Sequence, residues 1–63
     1  MNVKDLKDEY LGRCITVNDP YYAYTGILVK RDYEGKQHTY GFVSVSDYWV
    51  RCFFDNDVIE FVE

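Results

Sequence analysis

From Arg13 onward the chain is a series of short strand-like runs, each closed by turn residues, and that rhythm restricts it to a mostly β fold. Arg13, Ile15 and Val17 alternate with Cys14, Thr16 and Asn18, and Asn18-Asp19-Pro20 ends the run because proline removes a ladder donor. Tyr21 to Ala23 complete a loop, and a second strand is predicted from Tyr24 to Asp32 with Gly26 inside it, the mark of a bulge, a bend or a close backbone approach. Tyr33-Glu34-Gly35-Lys36 reads as a hairpin turn. A third strand follows from Gln37 to Val45, with a bend at Gly41 in prospect, then a tight turn at Ser46-Asp47. A fourth strand is expected from Tyr48 to Phe54, a turn at Asp55-Asn56-Asp57, and a fifth strand from Val58 to Val62. Ahead of this series, Val3, Leu6 and Tyr10 fall on one helical face, Asn2 is a cap and Gly12 a stop, so residues 2–11 are predicted as one short helix.

A chain of 63 residues makes one domain, 1–63, and at that size only about 60% of the unfolded surface is buried on folding. Aromatic bulk has to make up the difference. Seven Tyr, four Phe and one Trp supply it, yet so many rings exceed what so small a core can hold, so several tyrosines are expected at the surface. Strand propensity alone accounts for part of that tyrosine content. Cys14 and Cys52 have neither a CxxC partner nor an adjacent His, which argues against zinc, and both read as reduced, small core residues. A Cys14–Cys52 disulfide would need the first and fourth strands side by side.

Charge is unevenly placed. Residues 1–46 balance six bases with six acids, whereas residues 47–63 carry Arg51 against Asp47, Asp55, Asp57, Glu60 and Glu63, which accounts for the whole net charge of −4. That distribution argues against nonspecific nucleic-acid binding, which depends on a cationic surface. Met1 to Asp5 contain no apolar leader and no stretch approaches spanning length, so a cytoplasmic protein without a membrane partner is expected.

The run Gly12-Arg13-Cys14-Ile15-Thr16-Val17, the loop Asp19-Pro20-Tyr21-Tyr22-Ala23-Tyr24, and the strand start Thr25-Gly26-Ile27-Leu28-Val29 together resemble the opening of KOW-type and related SH3-like barrels. Asp55-Asn56-Asp57-Val58-Ile59-Glu60 is similar to the closing turn and last strand of such domains. The likeness extends over roughly residues 11–63 as a pattern, and about eighteen residues carry its specific part. The resemblance implies a five-stranded, strongly bent SH3-like barrel over residues 12–63, behind the helix at 2–11. It also implies that the loop between the first two strands contributes to binding RNA, DNA or protein. This loop departs from the nucleic-acid-binding members, whose loops are basic: it carries Asp19 and no Lys or Arg. Fold analogy does not by itself carry a function across.

No enzyme is expected. A lone His38 beside a hairpin turn reads as a solvated edge residue, and no Gly-x-Ser-x-Gly elbow, P-loop or HExxH is present. Asp55-Asn56-Asp57 is superficially similar to a calcium loop but has Glu60 where the sixth-position glycine belongs, so neither a metal nor a cofactor is expected. Two binding functions remain. In the first, a protein partner docks on exposed aromatics, with Tyr21, Tyr22, Tyr24 and Trp49 as anchors and the acidic end steering a basic partner; Trp49 is equally placed to be core. A narrower form resembles phage and mobile-element accessory proteins that mimic phosphates with carboxylates, here Asp47, Asp55, Asp57, Glu60 and Glu63. In the second, Tyr21, Tyr22, Tyr24, Tyr33 and Tyr40 stack bases while Lys30, Arg31 and Lys36 hold phosphate. Against it, those three bases read as a solvated edge that discourages sheet-to-sheet aggregation.

Overall fold

The computed structural model describes residues 1–31 and 40–62. Five antiparallel strands form one sheet: β1 (Cys14–Asp19), β2 (Tyr22–Lys30), β3 (Tyr40–Ser44), β4 (Val50–Cys52) and β5 (Val58–Phe61), in the order β4-β3-β2-β1-β5. The mostly β class therefore holds. β4 and β5 stand at opposite edges, so the sheet is open. The predicted hairpin turn at 33–36, the first part of the third strand at 37–39, and Asp32, Lys36, His38 and Glu63 lie outside the described residues.

The strands follow from simple alternation. Ile15 and Val17 on β1, Leu28 on β2, Phe42 on β3 and Ile59 on β5 point inward, and together with Val3, Leu6 and Phe53 they form one buried core. Registry is set by that burial, because a slip of one residue would expose the whole inner face. β2 begins at Tyr22, two residues earlier than the sequence pattern suggested. Pro20 presets the turn, the Asp19 Oδ1 accepts the Tyr21 N–H at 3.0 Å, and Asp19 already pairs with Tyr22. At Gly26 β2 and its neighbour β3 approach closely: a Cβ there would lie 2.5 Å from the Val43 carbonyl oxygen and 2.9 Å from a ring carbon of Phe42. Close backbone approach is thus what this glycine provides.

The N-terminal helix is not formed. Val3–Asp5 and Asp8–Tyr10 make two separate 3₁₀ turns, with Leu6 and Lys7 extended between them. The cause is the edge of β5. Met1 donates its amino N–H to the Ile59 carbonyl and accepts the Ile59 N–H, both at 2.8 Å, and Asn2 bridges Val58. These bonds hold the first residues extended and cover an otherwise open strand edge, while the Asn2 side chain makes no cap bond. The i, i+3 spacing still serves packing, since Val3 and Leu6 are buried. Gly12 ends the segment as predicted, at φ +86°.

Candidate functional site

Apart from the core, the sheet's inner face continues outward along β2 through Tyr24 and Tyr22, which are only half-buried. Their rings form a row that runs back into the core: Tyr22 to Tyr24 at 5.0 Å between centroids, Tyr24 to Phe42 at 5.8 Å, and Phe42 to Phe53 at 5.2 Å. Across from this row, the segment carrying β4 supplies Trp49, Val50 and Phe54. Between the two lies a cleft of about 330 Å³. Trp49 is 69% exposed and Phe54 61%, so these walls are open to solvent rather than packed.

Arg51 forms part of the floor. It pairs across the sheet with Phe42, its guanidinium lies 4.4 Å from the Tyr24 ring centroid, and it is ion-paired with Asp47. Cation–π contact over a tyrosine face and a carboxylate partner together hold it in place. Asp47 also accepts the Trp49 N–H at 3.0 Å. That bond, followed by the Arg51 guanidinium, holds the Asp47 carboxyl below its ordinary range against the opposing effect of burial.

The β3–β4 turn aims Trp49. Ser44 N–H bonds to the Trp49 carbonyl at 3.0 Å, and Tyr48 N–H to the Ser44 carbonyl at 2.8 Å. Closing the turn this way puts Tyr48 at φ +60°, a left-handed conformation that costs a bulky residue roughly 1–3 kcal/mol. Tyr48 is itself exposed and gains no burial in return. The strained residue directly precedes the exposed tryptophan.

Of the residues predicted for protein binding, Tyr22, Tyr24 and Trp49 meet at this cleft. Tyr21 is 93% exposed at the tip of the β1–β2 turn and does not line it. Trp49, open between core and surface on sequence grounds, is at the surface. Phe54 and Arg51 were missed as site residues. The signal was the pair Phe53-Phe54, since adjacent residues of an extended chain face opposite ways and only Phe53 is buried.

Of the predicted phosphate-binding set, Lys30 and Arg31 are described and Lys36 lies outside the described residues. Lys30 is paired with Asp8 at 3.2 Å, and Asp8 also accepts the Tyr40 hydroxyl. The Tyr40 hydroxyl first and Lys30 second hold the Asp8 carboxyl below its ordinary range. Arg31 reaches toward β4, 3.2 Å from the Cys52 Sγ and 3.5 Å from the Val50 carbonyl. Cys52 is exposed, a correction to its reading as core, because β4 is an edge strand. Both cysteines are free, and β2 and β3 separate the strands that carry them. Of the five acids considered as phosphate mimics, Asp57 is buried and Asp47 is paired. Among the described residues no group of three or more His, Cys, Asp or Glu could hold a metal ion. Among the described residues no helix is long and apolar enough to cross a membrane.

No known protein family, curated protein or solved structure matches the chain.

Proposed function

We propose that this chain is a non-catalytic interaction module that docks a basic, partly apolar segment of a protein partner in the cleft between Tyr22, Tyr24, Trp49 and Phe54. The observation that carries the reading is the exposure of Trp49, Val50 and Phe54 along one side of an aromatic cleft. Large apolar side chains left open beside a concave surface are what a recognition site requires, because rigid rings bury much area at low entropy cost. The basic character of the partner rests on charge. The segment that supplies Trp49, Val50 and Phe54 to one wall also carries Asp47 and Asp55 beside Arg51, with Asp57 buried behind them. A lysine or arginine of the partner finds the Trp49 face for cation–π contact and an acidic rim for long-range attraction. The strand order, with β5 returning beside β1, supports an SH3-like course for the sheet.

The test uses isotope-labelled protein and two peptide sets, one Lys/Arg-rich with apolar residues and one with the same apolar residues and Glu in place of the bases. The reading predicts that only the basic set shifts the Trp49 indole N–H and the Tyr22 ring signals. An oligothymidylate that shifts those signals instead, with steep weakening by salt, would overturn it in favour of a nucleic-acid role.

A further inference from the structure

Asp19 and Asp57 lie at the same end of the sheet. β1 and β5 pair as Ile15 with Phe61, Thr16 with Glu60, Val17 with Ile59 and Asn18 with Val58, and one more step of that register sets Asp19 opposite Asp57. Alternation from Ile15, Val17 and Ile59 directs both acids to the inner face. Asp57 is 1% exposed. Its Oδ2 accepts the Phe54 N–H at 2.9 Å, while its own N–H donates to the Phe54 carbonyl at 3.0 Å, closing the β4–β5 turn. Its Oδ1 is buried with no hydrogen-bond partner. On the other side, the Asp19 Oδ1 accepts the Tyr21 N–H and closes the β1–β2 turn.

Two ionised carboxylates facing each other across a strand pair repel, and a buried unpartnered anionic oxygen is costly. One proton removes both problems, because a protonated Asp57 Oδ1 becomes a donor and the Asp19 carboxylate its acceptor. The other charged and titratable groups nearby fit this reading. The Tyr22 phenol, at the start of β2, is pushed up by burial first and then by Asp57 and Asp19, with Arg51 on β4 acting the other way. The N-terminal ammonium is engaged by the Ile59 carbonyl on the outer edge of β5. Burial also pushes the Asp57 carboxyl up, and Asp19 adds to that push against the Phe54 N–H.

We propose that Asp19 and Asp57 share a single proton and so clasp the β1–β2 and β4–β5 turns, the two turns that carry Tyr22 and Phe54 to opposite sides of the cleft. As pH rises the proton passes from the Asp57 Oδ1 to water, both carboxylates are left charged, and the turns separate. The clasp governs the opening of the cleft, and its role in recognition rests on the binding function proposed above.

Carboxyl-detected NMR titration of the full chain tests this directly, with Asp19→Asn and Asp57→Asn variants alongside. The clasp predicts that Asp57 titrates above the ordinary carboxylate range and that Asp19→Asn moves its midpoint back toward that range. It predicts that the Tyr22 and Phe54 ring signals shift with the same midpoint as Asp57. In Asp57→Asn, the side-chain amide donates to Asp19 and its oxygen still accepts from Phe54, so the ring signals become independent of pH. Two carboxyls that titrate independently in the ordinary range would overturn the proposal, as would an Asp57 midpoint unmoved by Asp19→Asn. Ring signals that ignore the Asp57 titration would equally overturn it. If the rings follow Asp57 while no basic peptide binds at any pH, the clasp stands and the docking function fails.

Discussion

Replacing Gly26 with alanine would probe the tight approach of β2 to β3. The added Cβ would lie 2.5 Å from the Val43 carbonyl oxygen, a backbone atom that cannot rotate aside, so the strands must part by about 1 Å to restore ordinary contact. Overpacking of this kind costs about 1–3 kcal/mol. Loosening one neighbouring ladder bond adds about 1 kcal/mol. The reduced freedom of the unfolded chain returns about 0.4–1 kcal/mol. The net loss is about 1–4 kcal/mol, against a total of about 3–9 kcal/mol for a domain of this length. At about 4–8 °C per kcal/mol, thermal unfolding followed by near-ultraviolet circular dichroism should show Tm falling by at least about 4 °C and by as much as about 30 °C. Gly12 provides the contrast, since a Cβ there meets nothing within 4 Å and only its φ of +86° is at issue. Alanine at residue 12 should cost about 1–2 kcal/mol, and D-alanine, which favours that φ, should restore stability. An unchanged or raised Tm for Gly26→Ala would refute the close-approach argument.

Other perturbations have equally definite outcomes. Tyr48→Gly relieves a left-handed tyrosine and should stabilise the fold by about 1 kcal/mol in urea unfolding, with no gain expected if the turn is unstrained. Stability should fall as pH rises from the ordinary carboxylate range through the raised Asp57 pKa, because there the folded state binds more protons than the unfolded one. Asp57→Asn should flatten that limb and raise stability at neutral pH, and a limb that survives the substitution would contradict the assignment. Asp8 and Asp47 act with the opposite sign: their lowered pKa values make stability fall as pH drops below the ordinary range. Asp8→Asn should therefore diminish the acid limb and, because the Asp8 carboxylate also holds the Tyr40 phenol above its ordinary value, lessen the loss of stability where that phenol ionises.

Much of the architecture was legible because alternation is a local signal. The burial of Ile15, Val17 and Ile59, the turn at Pro20 and the close approach at Gly26 all follow from neighbouring residues. The N-terminal segment was misread for the converse reason. Its i, i+3 pattern suits a 3₁₀ turn as well as an α-helix, and the decision was made by hydrogen bonds from Met1 to Ile59, 58 residues away. Tyr22, Tyr24 and Trp49 could be picked out by type, but Tyr21 could not be set apart from Tyr22 without the register that pairs Tyr22 with Asp19. Arg51 reads as a lone base in an acidic stretch until β4 is paired with β3 and brings it over Tyr24. Cys52 reads as a small core residue until its strand is known to be the sheet edge.

If Trp49 is exposed to bind rather than to fold, Tm and peptide affinity measured together for Trp49→Ala will part company. Because Trp49 is 69% exposed, its removal should change stability by no more than about 0.5 kcal/mol. As an anchor of the cleft, it should cost at least tenfold in affinity for the basic peptide set, about 1.4 kcal/mol. A variant that melts well below the parent while retaining its affinity would show that Trp49 supports the fold and that the docking site lies elsewhere.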